Sequence, residues 1–258
     1  MPDTSLAACI FDAYGTLFDV HSVSTRAEAL APGHGADLAR RWRAKQLEYT
    51  WLAGLMASER YARPDFRSVT AMALDWALAS LVLPLDADAR AVLLAEYDRL
   101  APYPDALESL AALAPRPRWI LSNGTRAMLE PLVRASGLSA QLDGVMSVDE
   151  VESYKPAPSV YALASRRLRL PPERIAFVSA NAWDAAGAAA CGFTAFWINR
   201  EGVPAERHAP APACTVGSLA EVATLLNARP APHRVARPPV RSAKRRAGPT
   251  AGPRRRRA

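Results

Sequence analysis

Short apolar runs that break into polar or glycine-bearing turns recur along this chain. Leu6 to Phe11 is the first, and it ends in Asp12-Ala13-Tyr14-Gly15-Thr16. Trp119-Ile120-Leu121 runs into Ser122-Asn123-Gly124, and Gly144 to Val148 follows. Ile175 to Val178 runs into Ser179-Ala180-Asn181, Thr194 to Ile198 comes next, and a shorter run lies near Thr215-Val216. Apolar runs of this length, bounded by turn residues, predict strands buried on both faces, as in a parallel sheet. Helical patterns separate the later runs, from about Arg126 to Ala135 and in the alanine-rich stretch after Asp184. This alternation predicts βα units. Right-handed crossovers would place the carboxyl ends of the strands on one edge, where open α/β sheets bind ligands.

From about His21 to Leu100 no strand-like run occurs. Trp42, Tyr49, Leu52 and Met56 return to one helical face. Val69, Met72, Leu74, Trp76 and Leu78 predict a second helix and Ala89 to Leu100 a third, with Pro64 and Pro84 as punctuation. The expected fold is therefore a Rossmann-like α/β core made of residues 1–19 and 101–227, carrying an inserted helical cap over 20–100. After Ala228 apolar periodicity disappears and proline, alanine and arginine dominate, which predicts a disordered tail over 228–258.

Composition sharpens this picture in three respects. The formal net charge of +7 is misleading, because Ala228 to Ala258 holds eleven Lys or Arg residues and no acidic ones. The remainder has 21 basic against 25 acidic residues, a net of −4. The tail alone could make weak, sequence-blind contacts with nucleic acid, and it offers no aromatic residue for base stacking. No run approaches the roughly 20 apolar residues that span a bilayer, and no basic, signal-like leader precedes the first strand, so a cytoplasmic protein is expected. Cys9, Cys191 and Cys214 are odd in number and widely spaced, which predicts reduced structural thiols rather than disulfides or a zinc site.

Asp12 is the residue around which the candidate chemistry gathers. In isolation it reads as a turn-initiating aspartate, with Gly15 permitting a sharp turn and Thr16 holding it. Polar groups after the later strands argue for more: Ser122 and Asn123, Lys155, and Ser179, Asn181 and Asp184. A carboxylate held in line with a carbon centre and stripped of water can act as a nucleophile. Asp184 alone would be taken for a helix N-cap.

The run Asp12-x-Tyr14-Gly15-Thr16-Leu17-x-Asp19 resembles the first motif of the haloacid dehalogenase superfamily. Phosphatases of that superfamily carry a second aspartate where this chain has Tyr14, and an aromatic ring cannot relay protons as a carboxylic acid does. The chain is therefore similar to the L-2-haloacid dehalogenase branch, an assignment that Phe18-Asp19-Val20-His21-Ser22 also fits. The resemblance implies that Asp12 attacks C2 of a 2-haloalkanoate to give an ester, without metal or cofactor. Lys155, in Ser153-Tyr154-Lys155-Pro156, would offset repulsion between Asp12 and the substrate carboxylate. Arg43, in Trp42-Arg43-Ala44-Lys45-Gln46-Leu47-Glu48-Tyr49, would take the halide with Asn123, and Ser122 would bind the carboxylate. Asp184 would activate water, with Ser179, Asn181 and Thr16 positioning the site and Tyr161 supporting the lysine and contacting the substrate side. Tyr14, Leu47, Phe66 and Trp183 would wall an apolar pocket. A homodimer is the assembly implied. Two rivals remain at this stage: a superfamily phosphatase acting on a small phosphorylated metabolite, and a nucleic-acid-binding protein using the basic tail.

Overall fold

The computed structural model describes residues 5–207 and 210–228. The expected disordered tail and its contacts with nucleic acid lie outside the described residues, apart from Ala228. Six strands form one sheet: β1 (Ala8–Phe11), β2 (Arg118–Ser122), β3 (Gly144–Ser147), β4 (Ile175–Ser179), β5 (Thr194–Ile198) and β6 (Cys214–Val216). Their order is β3-β2-β1-β4-β5-β6 and every pairing is parallel, the doubly wound α/β arrangement that the apolar runs predict. β1 is central, with Phe11 opposite Ile120 on one side and Val178 on the other. All four of its residues are buried, as a strand covered by helices on both faces requires. The strand order reverses beside β1, so the crevice at its carboxyl end is the ligand position of such sheets.

Four helices form an insertion after β1: α1 (His21–Leu30), α2 (Gly35–Met56), α3 (Phe66–Ser80) and α4 (Ala87–Glu96). Asp65 and Asp86 start α3 and α4 by accepting from the backbone N–H of Ser68 and Ala89, each at 2.8 Å. The entry and exit of this helical insertion lie side by side: Asp19 N–H donates to Ala101 and Tyr103 N–H donates to Leu17. After the insertion come α5 (Ala106–Ala112), α6 (Arg126–Ala135), α7 (Pro158–Leu168), α8 (Ala182–Ala190) and α9 (Leu219–Asn227). Arg116, itself buried, ties the two ends of the described chain together. It donates to the carbonyls of Leu6 and Leu226 and to the Asn227 side chain.

The helical faces differ in part from the sequence expectation. The buried stripe of α2 is Leu38, Trp42, Gln46, Thr50 and Ala53, whereas Leu52 and Met56 are exposed. In α3, Val69, Leu74 and Leu78 are buried as expected, but Met72 and Trp76 face outward and Trp76 is covered by Lys45. Trp42 is buried and Tyr49 packs against the core as expected, but the polar Gln46 and Thr50 complete the inner face in place of Leu52 and Met56. His21 is exposed, and its backbone N–H is held by the Asp19 carboxylate at 2.8 Å. The three cysteines are free, and burial pushes the Cys9 thiol up to about 12. No helix among the described residues is long and apolar enough to cross a membrane.

Candidate active site

The chain turns sharply after Phe11, with Gly15 at φ +86°, a conformation open to glycine without strain. The turn folds Thr16 back so that its hydroxyl donates to Asp12 Oδ2 at 3.2 Å. The same hydroxyl oxygen accepts from the Ala180 backbone N–H at 2.8 Å, which links the β1 turn to the β4 turn without any side chain at position 180. Asn181, at the N-cap of α8, does not cap its helix with its side chain. It donates Nδ2 to Asp12 Oδ2 at 2.8 Å instead. Ser179 Oγ accepts from the Asn181 N–H at 3.1 Å and fixes that turn.

Lys155 joins the two carboxylates. Its Nζ lies 3.0 Å from Asp12 Oδ1 and 2.8 Å from Asp184 Oδ2, and all three side chains are buried. The ring of Phe177 lies 5.0 Å below the same nitrogen. Burial disfavours the ammonium, but the negative charges of Asp12 and Asp184 outweigh it, so the Lys155 pKa is raised and the group stays charged. For Asp184, burial raises the pKa above the carboxylate value of 3.8, and the Lys155 ammonium restrains that rise. Asp184 lies in the first turn of α8 as part of a buried ion pair, not as its N-cap.

Tyr161 is fully buried, and its hydroxyl donates to Asp184 Oδ1 at 2.8 Å, so it reaches Lys155 through the carboxylate that the lysine also binds. Gly187 makes this approach possible, since a Cβ there would meet the Tyr161 hydroxyl at 2.5 Å. On the other side of Asp12, Asn123 Oδ1 accepts from the Lys155 backbone N–H at 3.0 Å, which leaves its NH2 as the group that can donate to a ligand. Ser122 Oγ accepts from the Gly124 N–H at 3.1 Å, which leaves its hydroxyl hydrogen free to turn.

The helical insertion closes the site from above. Tyr14 stacks on Phe66 with ring centroids 5.6 Å apart and meets Tyr97 edge-on at 5.7 Å. Burial raises the pKa of the Tyr14 phenol, and its hydroxyl has no hydrogen-bond partner among the described residues. Gly124 leaves room for this ring, because a Cβ there would meet Tyr14 Cε2 at 2.9 Å. Arg43 and Leu47 are half-buried one turn apart on α2. Trp183 contacts Trp51 edge-on at 5.6 Å and, with Lys155, lines an apolar groove of about 740 Å³ between α2 and α8. The structure thus brings Asp12, Thr16, Lys155, Asn181 and Asp184 into one hydrogen-bonded cluster. It sets Tyr14 with Phe66, and it places Trp183 on the outer wall beside the groove. The buried Gln46, Thr70 and Tyr97 behind Arg43, and the two glycines, were not singled out from the sequence. Gln46 is a polar residue on the inner face of a helix, which was the available signal.

The donor set does not suit a divalent cation. The Lys155 ammonium already binds both Asp12 and Asp184, and Tyr14 supplies no carboxylate. Among the described residues no group of three or more His, Cys, Asp or Glu side chains gathers as a metal site.

A carboxylate at the switch point of a parallel sheet, paired through lysine with a second carboxylate, defines a hydrolase of the haloacid dehalogenase type. The family model of haloacid dehalogenase-like hydrolases matches residues 6–192. The (S)-2-haloacid dehalogenase of Pseudomonas sp. (strain YL) is 45% identical over 217 residues, covering 83% of this chain and 92% of that protein. A solved L-2-haloacid dehalogenase superposes with a TM-score of 0.84 at 45% identity, covering 86% of this chain and 99% of that one. The L-2-haloacid dehalogenase of Xanthobacter autotrophicus with chloropropionic acid covalently bound superposes with a TM-score of 0.79 at 40% identity, covering 86% and 98%. The chain belongs to the haloacid dehalogenase-like hydrolases, in the branch of the (S)-2-haloacid dehalogenases.

Proposed function

We propose that this enzyme converts short-chain L-2-haloalkanoic acids into D-2-hydroxyalkanoic acids through an ester on Asp12, with inversion at C2 and no metal. The observation that carries the proposal is the buried Asp12 carboxylate held by Lys155, Asn181 and Thr16 at the sheet's switch point. Three fixed donors orient the carboxylate, and exclusion of water makes it a usable nucleophile. An Asp12 oxygen bonds to C2 as the carbon–halogen bond breaks, and the halide leaves with the electron pair. Arg43 and the Asn123 amide receive the halide, while Ser122 and the Lys155 charge accommodate the substrate carboxylate. Tyr14, Leu47, Phe66 and Trp183 shield the reacting carbon. Water then adds to the acyl carbon of the ester as Asp184 takes one of its protons. As the intermediate collapses, Asp184 returns that proton to the departing C2 oxygen, the hydroxy acid leaves, and the Asp12 carboxyl sheds its proton to solvent. Tyr161 acts through Asp184 by holding one of its oxygens, and Ser179 holds the Asn181 turn.

Halide release from the two enantiomers of 2-chloropropionate, measured with and without excess chelator, tests this reading. Only the L enantiomer should release chloride, at a rate the chelator does not change. Release from both enantiomers, or loss on chelation restored by magnesium, would contradict it.

The same reading includes a homodimer in the cytoplasm. The free thiols suit a reducing compartment. Leu52, Leu55 and Met56 of α2 and Met72 and Trp76 of α3 supply exposed apolar surface, with Leu55 84% exposed. Sedimentation should give twice the chain mass, reduced to that of the monomer by Leu55→Glu. A monomeric parent protein would sink the dimer.

A further inference from the structure

We propose that Gln46 is a positioning residue for Arg43, holding its guanidinium in place while leaving its positive charge whole for the departing halide. The inference rests on the assignment of Arg43 to the halide and concerns what aims it. A chain of hydrogen bonds runs from Arg43 to the start of α3. Arg43 Nη1 donates to Gln46 Oε1 at 2.6 Å, Gln46 Nε2 donates to Thr70 Oγ1 at 2.7 Å, and Thr70 Oγ1 donates to the Phe66 carbonyl at 2.6 Å.

The direction of this chain is fixed from its far end. A carbonyl can only accept, so the single Thr70 hydroxyl hydrogen points to Phe66. Thr70 Oγ1 must then accept from the Gln46 NH2 group. That orients the amide and turns its oxygen toward Arg43. The Tyr97 hydroxyl reaches the same oxygen at a longer 3.5 Å. The indole of Trp42 donates to the Thr70 carbonyl at 2.8 Å and locks α2 to α3 at this level. Gln46 is fully buried and Thr70 nearly so, so water cannot substitute for the link between them. A buried polar chain of this kind is tolerated only when each member is satisfied, and these links satisfy it.

The identity of the residue matters as much as its place. A carboxylate at position 46 would pair with Arg43 at close range in a low-dielectric setting and cancel the charge that attracts a halide. The neutral amide oxygen binds the guanidinium without cancelling it. Because the chain ends on the Phe66 carbonyl, it also ties Arg43 to the residue whose ring stacks on Tyr14.

Single-turnover halide release from L-2-chloropropionate and L-2-bromopropionate decides the matter. Chloride is the poorer leaving group and depends more on stabilisation, so a weakened halide site raises the bromide-to-chloride rate ratio. Gln46→Glu should slow chloride release roughly tenfold, a part of the 10²–10³ that one well-aimed donor is worth. It should raise the ratio in the same direction as Arg43→Ala. Thr70→Val, which keeps residue 46 but frees its amide, should raise the ratio less, and Thr70→Ser should restore it. The Thr70 pair supplies the test if Gln46→Glu does not fold. Equal slowing of both substrates in Gln46→Glu and an unchanged ratio in Thr70→Val, while Arg43→Ala still shifts it, would leave Gln46 merely structural and overturn the proposal. An unchanged ratio in Arg43→Ala would instead overturn the halide assignment of Arg43, and the role of Gln46 with it.

Discussion

Lys155→Met should lower turnover by roughly 10³-fold or more and remove about 3–5 kcal/mol of stability at neutral pH. Methionine fills similar space, so the loss is one of charge rather than volume. In the intact enzyme one buried ammonium serves two buried carboxylates at 3.0 and 2.8 Å. Removing it leaves two negative charges in a dry site with no cation between them. The pH dependence identifies the cause. Burial already raises Asp184, and Lys155 is the first influence that opposes it, so without the lysine its folded pKa rises further. The folded variant then holds a proton that the unfolded chain has released above about pH 3.8. Its stability therefore falls as pH rises through that window, and the deficit against the parent enzyme shrinks toward acid. In the parent enzyme the raised Lys155 pKa acts with the same sign but only in alkali, above the range in which Asp184 titrates. Its contribution is complete below pH 10.5 and is lost only as pH climbs through the folded value. Thermal unfolding of both proteins between pH 4 and 9 measures this. A constant difference across the range would mean that the ion-pair cluster is not what the lysine maintains.

The sheet was legible because each of its strands is a short apolar run that ends abruptly in polar residues. Asp12, Ser122, Asn123, Ser179 and Asn181 follow directly on three of those runs, so their convergence came from topology rather than detail. Lys155 and Arg43 lie on a loop and a helix, and there only the motif resemblance distinguished them from solvated cations. The helical insertion was less legible for a physical reason. What a helix buries is set by its partner, and the partner of α2 at Gln46 is Thr70 on α3, a polar contact that apolar periodicity cannot register. The same ambiguity hid the outward Leu52, Met56, Met72 and Trp76. The motif resemblance relates Tyr161 to Lys155, and only the fold shows that the link runs through Asp184, across Gly187. Nor could the spacing of Gly124 and Gly187 reveal that each leaves room for a specific ring.

Asp184→Asn should stop turnover by a similarly large factor, but at a later step. The amide keeps the shape of the carboxylate and cannot accept water's proton, a function worth roughly 10²–10⁴-fold. Attack by Asp12 does not need that base. One equivalent of halide should therefore appear per site, and the Asp12 peptide should gain the mass of the substrate's 1-carboxyalkyl group, bonded through C2 as an ester. A folded Asp184→Asn protein that releases no halide and carries no adduct would remove Asp184 from the hydrolytic step.

The covalent route itself is tested most directly by a single turnover in ¹⁸O-labelled water with enzyme in excess. If the ester on Asp12 is cleaved at its acyl carbon, the new hydroxyl of the product carries an oxygen that belonged to Asp12, and water's oxygen stays in the enzyme. The first product should therefore be unlabelled and the Asp12 peptide labelled, with label passing into product only on later turnovers. Direct attack of water on C2 would also invert the configuration, so stereochemistry does not separate the two routes. Heavy oxygen in the first product, with none in the peptide that contains Asp12, would contradict the mechanism.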